Sequence, residues 1–239
     1  MRLDKLLSDM QIGTRSEVKR YISQGNVTVG GSSKVSPKRQ VDPQKQEICC
    51  FGKPVKYQEY IYYMFHKPAG CVTAHKDHKY KTVMDYIPKS RRNLSPVGRL
   101  DLDTEGLLLI TNDGALSHEL LSPVKHVSKI YEARIDGVVT KEDVDLFAEG
   151  IDIGDNTKTK PAKLIIKKSA AISEVEITVT EGRYHQIKRM FQAVGKQVIY
   201  LKRIGMGNLK LDETLSSGEY RELTAQEIAL LKEQGENHV

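Results

Sequence analysis

Apolar residues recur along the chain at two spacings, and the change from one to the other divides it. Leu3, Leu6, Leu7 and Met10 repeat at helical intervals, which predicts an amphipathic helix over 2–10. A second helix opens at Thr14, where Glu17 completes a capping box, and stops at Gly25. Its apolar side chains are Val18, Tyr21 and Ile22, while Arg15, Lys19 and Arg20 fall largely on the rest of the turn. Val27 and Val29 then alternate with polar residues into Gly30-Gly31, a strand ending in a tight turn. A further strand, Glu47 to Phe51, precedes Gly52-Lys53-Pro54, and this small α+β unit closes at about residue 58.

Residues 59–239 mix the two periods without a regular strand–helix–strand rhythm. Strands are predicted at 61–66, 107–111, 130–135, 162–167, 173–180 and 198–203. Helices are predicted at 115–121, 141–149, 185–194 and 225–233. Runs of strands with few helices give an α+β domain with a mixed, mainly antiparallel sheet flanked by helices. Gly205-Met206-Gly207 lacks the third glycine of a dinucleotide fingerprint and reads as a turn.

Composition narrows the class. The 239 residues are 39% hydrophobic and 28% charged, enough to bury a core without a disulfide or metal staple. The run Leu107 to Ile110 is far short of the roughly 20 apolar residues that span a bilayer. Met1-Arg2-Leu3-Asp4-Lys5 has no signal-peptide apolar region, and three cysteines, two of them adjacent (Cys49, Cys50), make no disulfide framework. The expectation is a cytoplasmic protein in a reducing compartment, with no membrane partner, and a monomer by default. The net charge of +6 hides an asymmetry: residues 1–100 sum to +11 and residues 101–239 to -5. So basic a first part suggests a polyanion partner.

Two stretches carry candidate chemistry. In Gly98-Arg99-Leu100-Asp101-Leu102-Asp103-Thr104-Glu105-Gly106, four charged side chains crowd a glycine-bounded loop directly before an apolar strand. Such a loop presents a carboxylate rigidly; the pattern equally suits an Asx turn shaped by Asp101 or Asp103. Asp101, Asp103 and Glu105 raise the thought of magnesium, but no phosphate-cradling glycine loop accompanies them. The second stretch runs from the strand Val175–Thr180 through Glu181-Gly182 into a helix whose Ile187, Met190, Phe191 and Val194 face inward, with Gly195 after it. Arg183, His185, Gln186, Lys188 and Arg189 crowd its first turns, a place suited to anions or, as readily, a solvated basic face. Cys71, His75 and His78 approach metal-ligand spacing without a fourth ligand and read instead as part of a basic loop.

Taken together and in order, these stretches resemble the RsuA family of pseudouridine synthases. Gly98-Arg99-Leu100-Asp101-x-Asp103-Thr104-x-Gly106-Leu107-Leu108 and Glu181-Gly182-Arg183-Tyr184-His185-Gln186-Ile187-Lys188-Arg189-Met190-Phe191 carry the likeness. Lys129-Ile130-Tyr131, Thr159-Lys160-Pro161-Ala162 and Gly218-Glu219-Tyr220-Arg221-x-Leu223-Thr224 extend it, and residues 1–58 resemble the alpha-L RNA-binding module. The resemblance implies isomerisation of uridine to pseudouridine in ribosomal RNA, without cofactor or metal, by a catalytic domain over 59–239. Arg183-Tyr184-His185-Gln186 and Thr159-Lys160-Pro161-Ala162 resemble the small-subunit branch, which points to small-subunit ribosomal RNA or its assembly intermediate as partner. The large-subunit branch is the nearest rival, and a non-catalytic RNA-binding assembly factor the rival of another class.

The resemblance also assigns residues. The family's essential Asp falls on Asp101, its basic partner on Lys188 with Arg189 as fallback, and its base-stacking tyrosine on Tyr131. A cation beside Asp101 keeps the carboxylate ionised where desolvation would raise its pKa. Leu201 forms an apolar wall for the uracil, and Arg99 holds RNA backbone or the loop. Arg183, His185, Gln186 and Arg189 serve as substrate contacts, and Arg2, Lys5, Arg15, Ser16, Lys19 and Arg20 as the RNA-facing positions of the first module.

Overall fold

The computed structural model describes residues 1–88 and 93–233. The chain divides into two units, Met1–Ile61 with Lys89–Leu94, and Tyr62–Pro88 with Ser95–Val239. In the first, helices α1 (Leu3–Asp9) and α2 (Arg15–Ser23) share one core with a three-stranded antiparallel sheet of β1 (Val27–Val29), β2 (Ile48–Cys50) and β3 (Lys53–Pro54). The capping box at α2 forms as expected: Glu17 N–H donates to Thr14 Oγ1, and Thr14 N–H to Glu17 Oε2 at 2.6 Å. Strand β2 stops before Phe51, which takes a left-handed φ of 51°. Leu3, Leu6 and Leu7 are fully buried, so the helical period does place one face inward.

The second unit is built on one large sheet. Its strands are β4 (Tyr62–Lys67), β7 (Ser95–Pro96), β8 (Glu105–Thr111), β9 (Lys129–Asp136), β10 (Lys163–Lys168), β11 (Ile172–Val179), β12 (Gln197–Met206), β13 (Leu209–Lys210) and β14 (Tyr220–Glu222). The main order is β10-β11-β9-β12-β8-β4-β14, with β13 beside β12 and β7 beside β8. A separate parallel pair, β5 (Cys71–Val72) and β6 (Lys81–Thr82), precedes a short 3-10 turn at Val83–Asp85. Helices α3 (Gly114–Leu121), α4 (Lys141–Glu149), α5 (Gln186–Ala193) and α6 (Ala225–Lys232) complete it.

The unbroken apolar runs in β4 and β8 are explained by burial on both faces: Tyr62 through Lys67 are all buried, as are Gly106 through Thr111. Strand β9 instead alternates, with Tyr131, Ala133 and Ile135 inside and Glu132, Arg134 and Asp136 exposed. Helices α4 and α5 meet through Phe147 and Phe191, ring centroids 4.9 Å apart. A Schellman motif ends α5, with Gly195 at φ 74° and Lys196 N–H donating to Phe191 O.

Two sequence expectations change, while the mixed, mainly antiparallel sheet forms as expected. Strand β12 runs on through Gly205 and Met206, so the turn before β13 falls at Gly207-Asn208. Helix α5 begins at Gln186 because His185 adopts the left-handed region, φ 48°. Within the large sheet one pairing, β8 with β12, is parallel. That pairing is possible because residue 106 is glycine: a Cβ there would lie 2.2 Å from Arg203 O, and its φ is 104°. The close parallel pair brings the loop before β8 toward α5.

Candidate active site

The Asp101 loop is held from behind by the end of β4. Lys67 is fully buried, and its Nζ donates to the carbonyls of Asp101 at 2.9 Å, Thr104 at 2.8 Å and Pro68 at 3.0 Å. Burial is the main influence on this ammonium and pushes its pKa down from the usual lysine range, though nearby carboxylates oppose the shift. Thr73 clasps Leu100 twice, Oγ1 donating to its carbonyl at 2.9 Å and accepting from its N–H at 3.1 Å. Gly70 N–H reaches Leu102 O at 2.8 Å, and Thr104 N–H closes a turn on Asp101 O. A short loop with this many fixed carbonyls holds the backbone of Asp101 in place.

Those side chains meet α5. Lys188 Nζ lies 3.3 Å from Asp101 Oδ2 and donates to Asp103 Oδ1 at 2.5 Å. His185 Nε2 stands 3.7 Å from Asp101 Oδ1. Burial acts against the charged form of Lys188, but Asp103 and Asp101 outweigh it and raise the pKa. Burial likewise disfavours the Asp103 carboxylate, and the Lys188 contact overcomes it and holds the pKa below the usual range. Glu105 turns away: its carboxylate accepts from Tyr200 OH at 3.0 Å, and burial together with this bond pushes that phenol up to about 12. Glu105 therefore parts from Asp101 and Asp103, which share Lys188, and among the described residues no three His, Cys, Asp or Glu groups converge as a ligand set. Cys71 is itself buried, whereas His75 is exposed and contacts Ser95 Oγ.

Asp101 opens onto a cleft of about 480 Å³ lined also by Arg99, Tyr131, Leu201, Arg183, His185, Gln186 and Lys188. Tyr131 and Leu201 are 8% and 5% exposed and come from adjacent strands, β9 and β12. Arg99 is exposed. Residues 50 to 100 positions apart in sequence thus share one wall.

Other expectations land elsewhere. Arg189, the fallback partner of Asp101, is turned away: its guanidinium bonds Asp155 Oδ1 at 2.6 Å and the carbonyls of Ile153 and Tyr184. Arg183 spends its guanidinium on the carbonyls of Thr157 and Lys158, 2.8 and 2.7 Å, and on Glu181. Gln186 is 5% exposed, accepts from Arg183 N–H and donates to Glu181 Oε1. Arg183 and Gln186 therefore brace the turn into α5 more than they offer themselves to an anion. In the first unit Arg2, Lys5, Arg15, Ser16, Lys19 and Arg20 are all exposed, and Arg2 also pairs with buried Asp4. Arg15 and Lys19, like Ser16 and Arg20, stand one helical turn apart.

Lys67, Thr73, Glu181 and Arg203 also serve this site, although the sequence pattern assigns none of them a role. Arg203 is 2% exposed, lines the cleft and donates through Nε to Leu107 O. Beside it, burial and the Arg203 charge push Lys129, also on the cleft wall, down to about 8. One signal was available: Lys67 closes an apolar strand just before Pro68, where a lysine with no water nearby must find carbonyls.

An α+β catalytic unit with a carboxylate at the mouth of a cleft, preceded by a small basic module, defines an RNA-acting enzyme class. Comparison with known proteins makes this specific. Residues 61–193 match the RNA pseudouridylate synthase family and residues 1–46 the S4 domain. The uncharacterized RNA pseudouridine synthase YtzG of Bacillus subtilis (strain 168) is 46% identical over 236 residues, 98% of this chain and 99% of its own. Ribosomal small subunit pseudouridine synthase A of Pasteurella multocida (strain Pm70) is 40% identical over 96% of this chain and 98% of its own. A crystal structure of a pseudouridylate synthase superposes with TM-score 0.68 at 39% identity, covering 97% of this chain and 99% of that one. The chain belongs to the RNA pseudouridylate synthase family, a pseudouridine synthase with an S4 domain at its N terminus. No helix among the described residues is long and apolar enough to cross a membrane.

Proposed function

We propose that this enzyme isomerises a uridine of small-subunit ribosomal RNA to pseudouridine, acting in the cytoplasm as a monomer on the RNA or an assembly intermediate. Residues 1–58 dock the RNA through Arg2, Lys5, Arg15, Ser16, Lys19 and Arg20, and residues 59–239 carry out the reaction. The observation that carries the reading is the Asp101 carboxylate, 3.3 Å from Lys188, at the opening of a cleft walled by Tyr131 and Leu201. The full-length similarity to enzymes named for the small subunit supports the choice of RNA.

In this reading the target uridine leaves its stack, which costs a few kcal/mol that phosphate contacts must offset. The uracil then sits between Tyr131 and the apolar Leu201. The C1′–N1 bond breaks, the base turns, and C1′ joins C5; C5 gives up its proton and N1 ends with one. The conversion is redox-neutral and atom-balanced, and it calls for one carboxylate beside the sugar. Lys188 places a cation 3.3 Å from Asp101, and the loop's backbone bonds hold the side chain in place. Arg99 steadies the RNA backbone at the cleft edge.

Asp101→Ala is expected to abolish pseudouridine formation while leaving RNA affinity within a few-fold. Mapping pseudouridines in ribosomal RNA of cells lacking the gene identifies the substrate. A variant that modifies RNA at the normal rate would refute the role of Asp101, and an unchanged map would favour a pure RNA binder.

A further inference from the structure

The rim of the cleft carries an aromatic feature that the reaction as described leaves unused. Tyr184 is 76% exposed, the most exposed aromatic ring among the described residues, although it lines the cleft. Its ring lies nearly parallel on the imidazole of His185, centroids 3.8 Å apart and planes 17° from each other. The mounting is firm. His185 holds a left-handed backbone at φ 48°, a region uncommon outside glycine that histidine enters more readily than most residues. Arg189, anchored on Asp155, donates to Tyr184 O at 3.2 Å. On its inner side His185 reaches to 3.7 Å from Asp101 Oδ1. Carboxylate, imidazole and phenol ring therefore follow one another outward from the reacting position, ending in a flat apolar face open to water.

A flat ring presented to solvent at the mouth of a base-binding cleft is the shape that receives an unpaired base, because every nucleobase has a π-face and stacking tolerates sequence. The charges agree with that occupant: the exposed Arg99 lines the same cleft, a setting for a phosphate. We propose that Tyr184 is a positioning residue on which the nucleobase next to the target uridine stacks. The contact selects an RNA whose target has an unpaired neighbour, whatever that neighbour's identity. This inference rests on the pseudouridine-forming reading of the cleft.

Two measurements test it on the full-length enzyme. In the first, pseudouridine formation on small-subunit ribosomal RNA transcripts is followed for wild type, Tyr184→Phe and Tyr184→Ala. The expected result is a KM raised about 5- to 100-fold in Tyr184→Ala with kcat within about threefold, and near wild-type values in Tyr184→Phe. Because the ring is exposed, the melting temperature should be the same in all three. In the second, the probe is an RNA hairpin with 2-aminopurine beside a single loop uridine. Wild type and Tyr184→Phe should quench its fluorescence and Tyr184→Ala should not. An unchanged KM, or equal quenching by Tyr184→Ala, overturns the stacking role while leaving the reaction standing. A wild-type enzyme that modifies ribosomal RNA neither as a transcript nor in a small-subunit assembly intermediate overturns the functional reading instead, and the quenching result still decides whether the ring takes a base.

Discussion

Replacing Lys67 with methionine removes the ammonium that holds the Asp101 loop and keeps most of the side-chain volume. In the wild type Nζ satisfies three carbonyls, of Pro68, Asp101 and Thr104, at 2.8–3.0 Å in a fully buried position. Orphaning buried carbonyls costs about 1–3 kcal/mol each, and part of this returns because a charge no longer has to be buried. A net loss of about 2–4 kcal/mol follows, which for a chain of this size lowers the melting temperature by roughly 5–15 °C. The larger consequence is kinetic. One of the three carbonyls is Asp101's own and a second, Thr104's, lies in the same loop, and a shift of about 1 Å in a reacting group costs on the order of 100-fold in rate. The single-turnover rate of pseudouridine formation, measured well below the variant's melting temperature, should fall by that order while RNA affinity holds. A variant that melts lower yet turns over within about threefold of wild type would refute the idea that Lys67 sets the position of Asp101. One that is neither destabilised nor slowed would refute the energetic argument as well.

Two further outcomes follow from the same geometry. Gly106→Ala places a Cβ 2.2 Å from Arg203 O at a φ of 104°, so β8 and β12 must separate; a loss of at least about 3 kcal/mol in chemical denaturation is expected, and a loss below about 1 kcal/mol would contradict the close approach. Burial and Arg203 bring Lys129 from 10.5 to about 8 in the folded state, so between those values the unfolded chain binds more protons and the contribution of Lys129 to stability rises with pH. Lys129→Met should therefore gain stability relative to wild type at pH 7 and lose that advantage by pH 10, in melting curves of the two proteins; an equal gap at both pH values would refute the shift.

Much of the fold was readable from pattern because burial leaves a periodic trace. The helical repeat of Leu3, Leu6, Leu7 and Met10, the capping box at Thr14 and the unbroken runs in β4 and β8 each announce a local structure that forms. The short strands β5, β6, β7, β13 and β14 left no such trace: the first four have only two residues each, and Tyr220-Arg221-Glu222 has no apolar alternation. The left-handed turn at His185 was equally silent, because histidine enters that region more often than most residues but still in a small minority of cases; in the fold, bonds from Arg189 to Tyr184 and from Gln186 to Glu181 brace the residues on either side of it.

The sequence by itself determined which residue types the chemistry has available: one carboxylate loop, one basic helix start, one tyrosine on an alternating strand, and an excess of positive charge in the first 100 residues. Only the tertiary structure decided which of them meet. It put Lys188 against Asp101 and Asp103, spent Arg183 and Arg189 on loop carbonyls and Asp155, and sent Glu105 to Tyr200. The reason is physical. Composition and period follow from what each residue can bury locally, whereas partnership depends on which charged groups the sheet order brings within a few ångströms, and the parallel pairing of β8 with β12 past Gly106 sets that distance here.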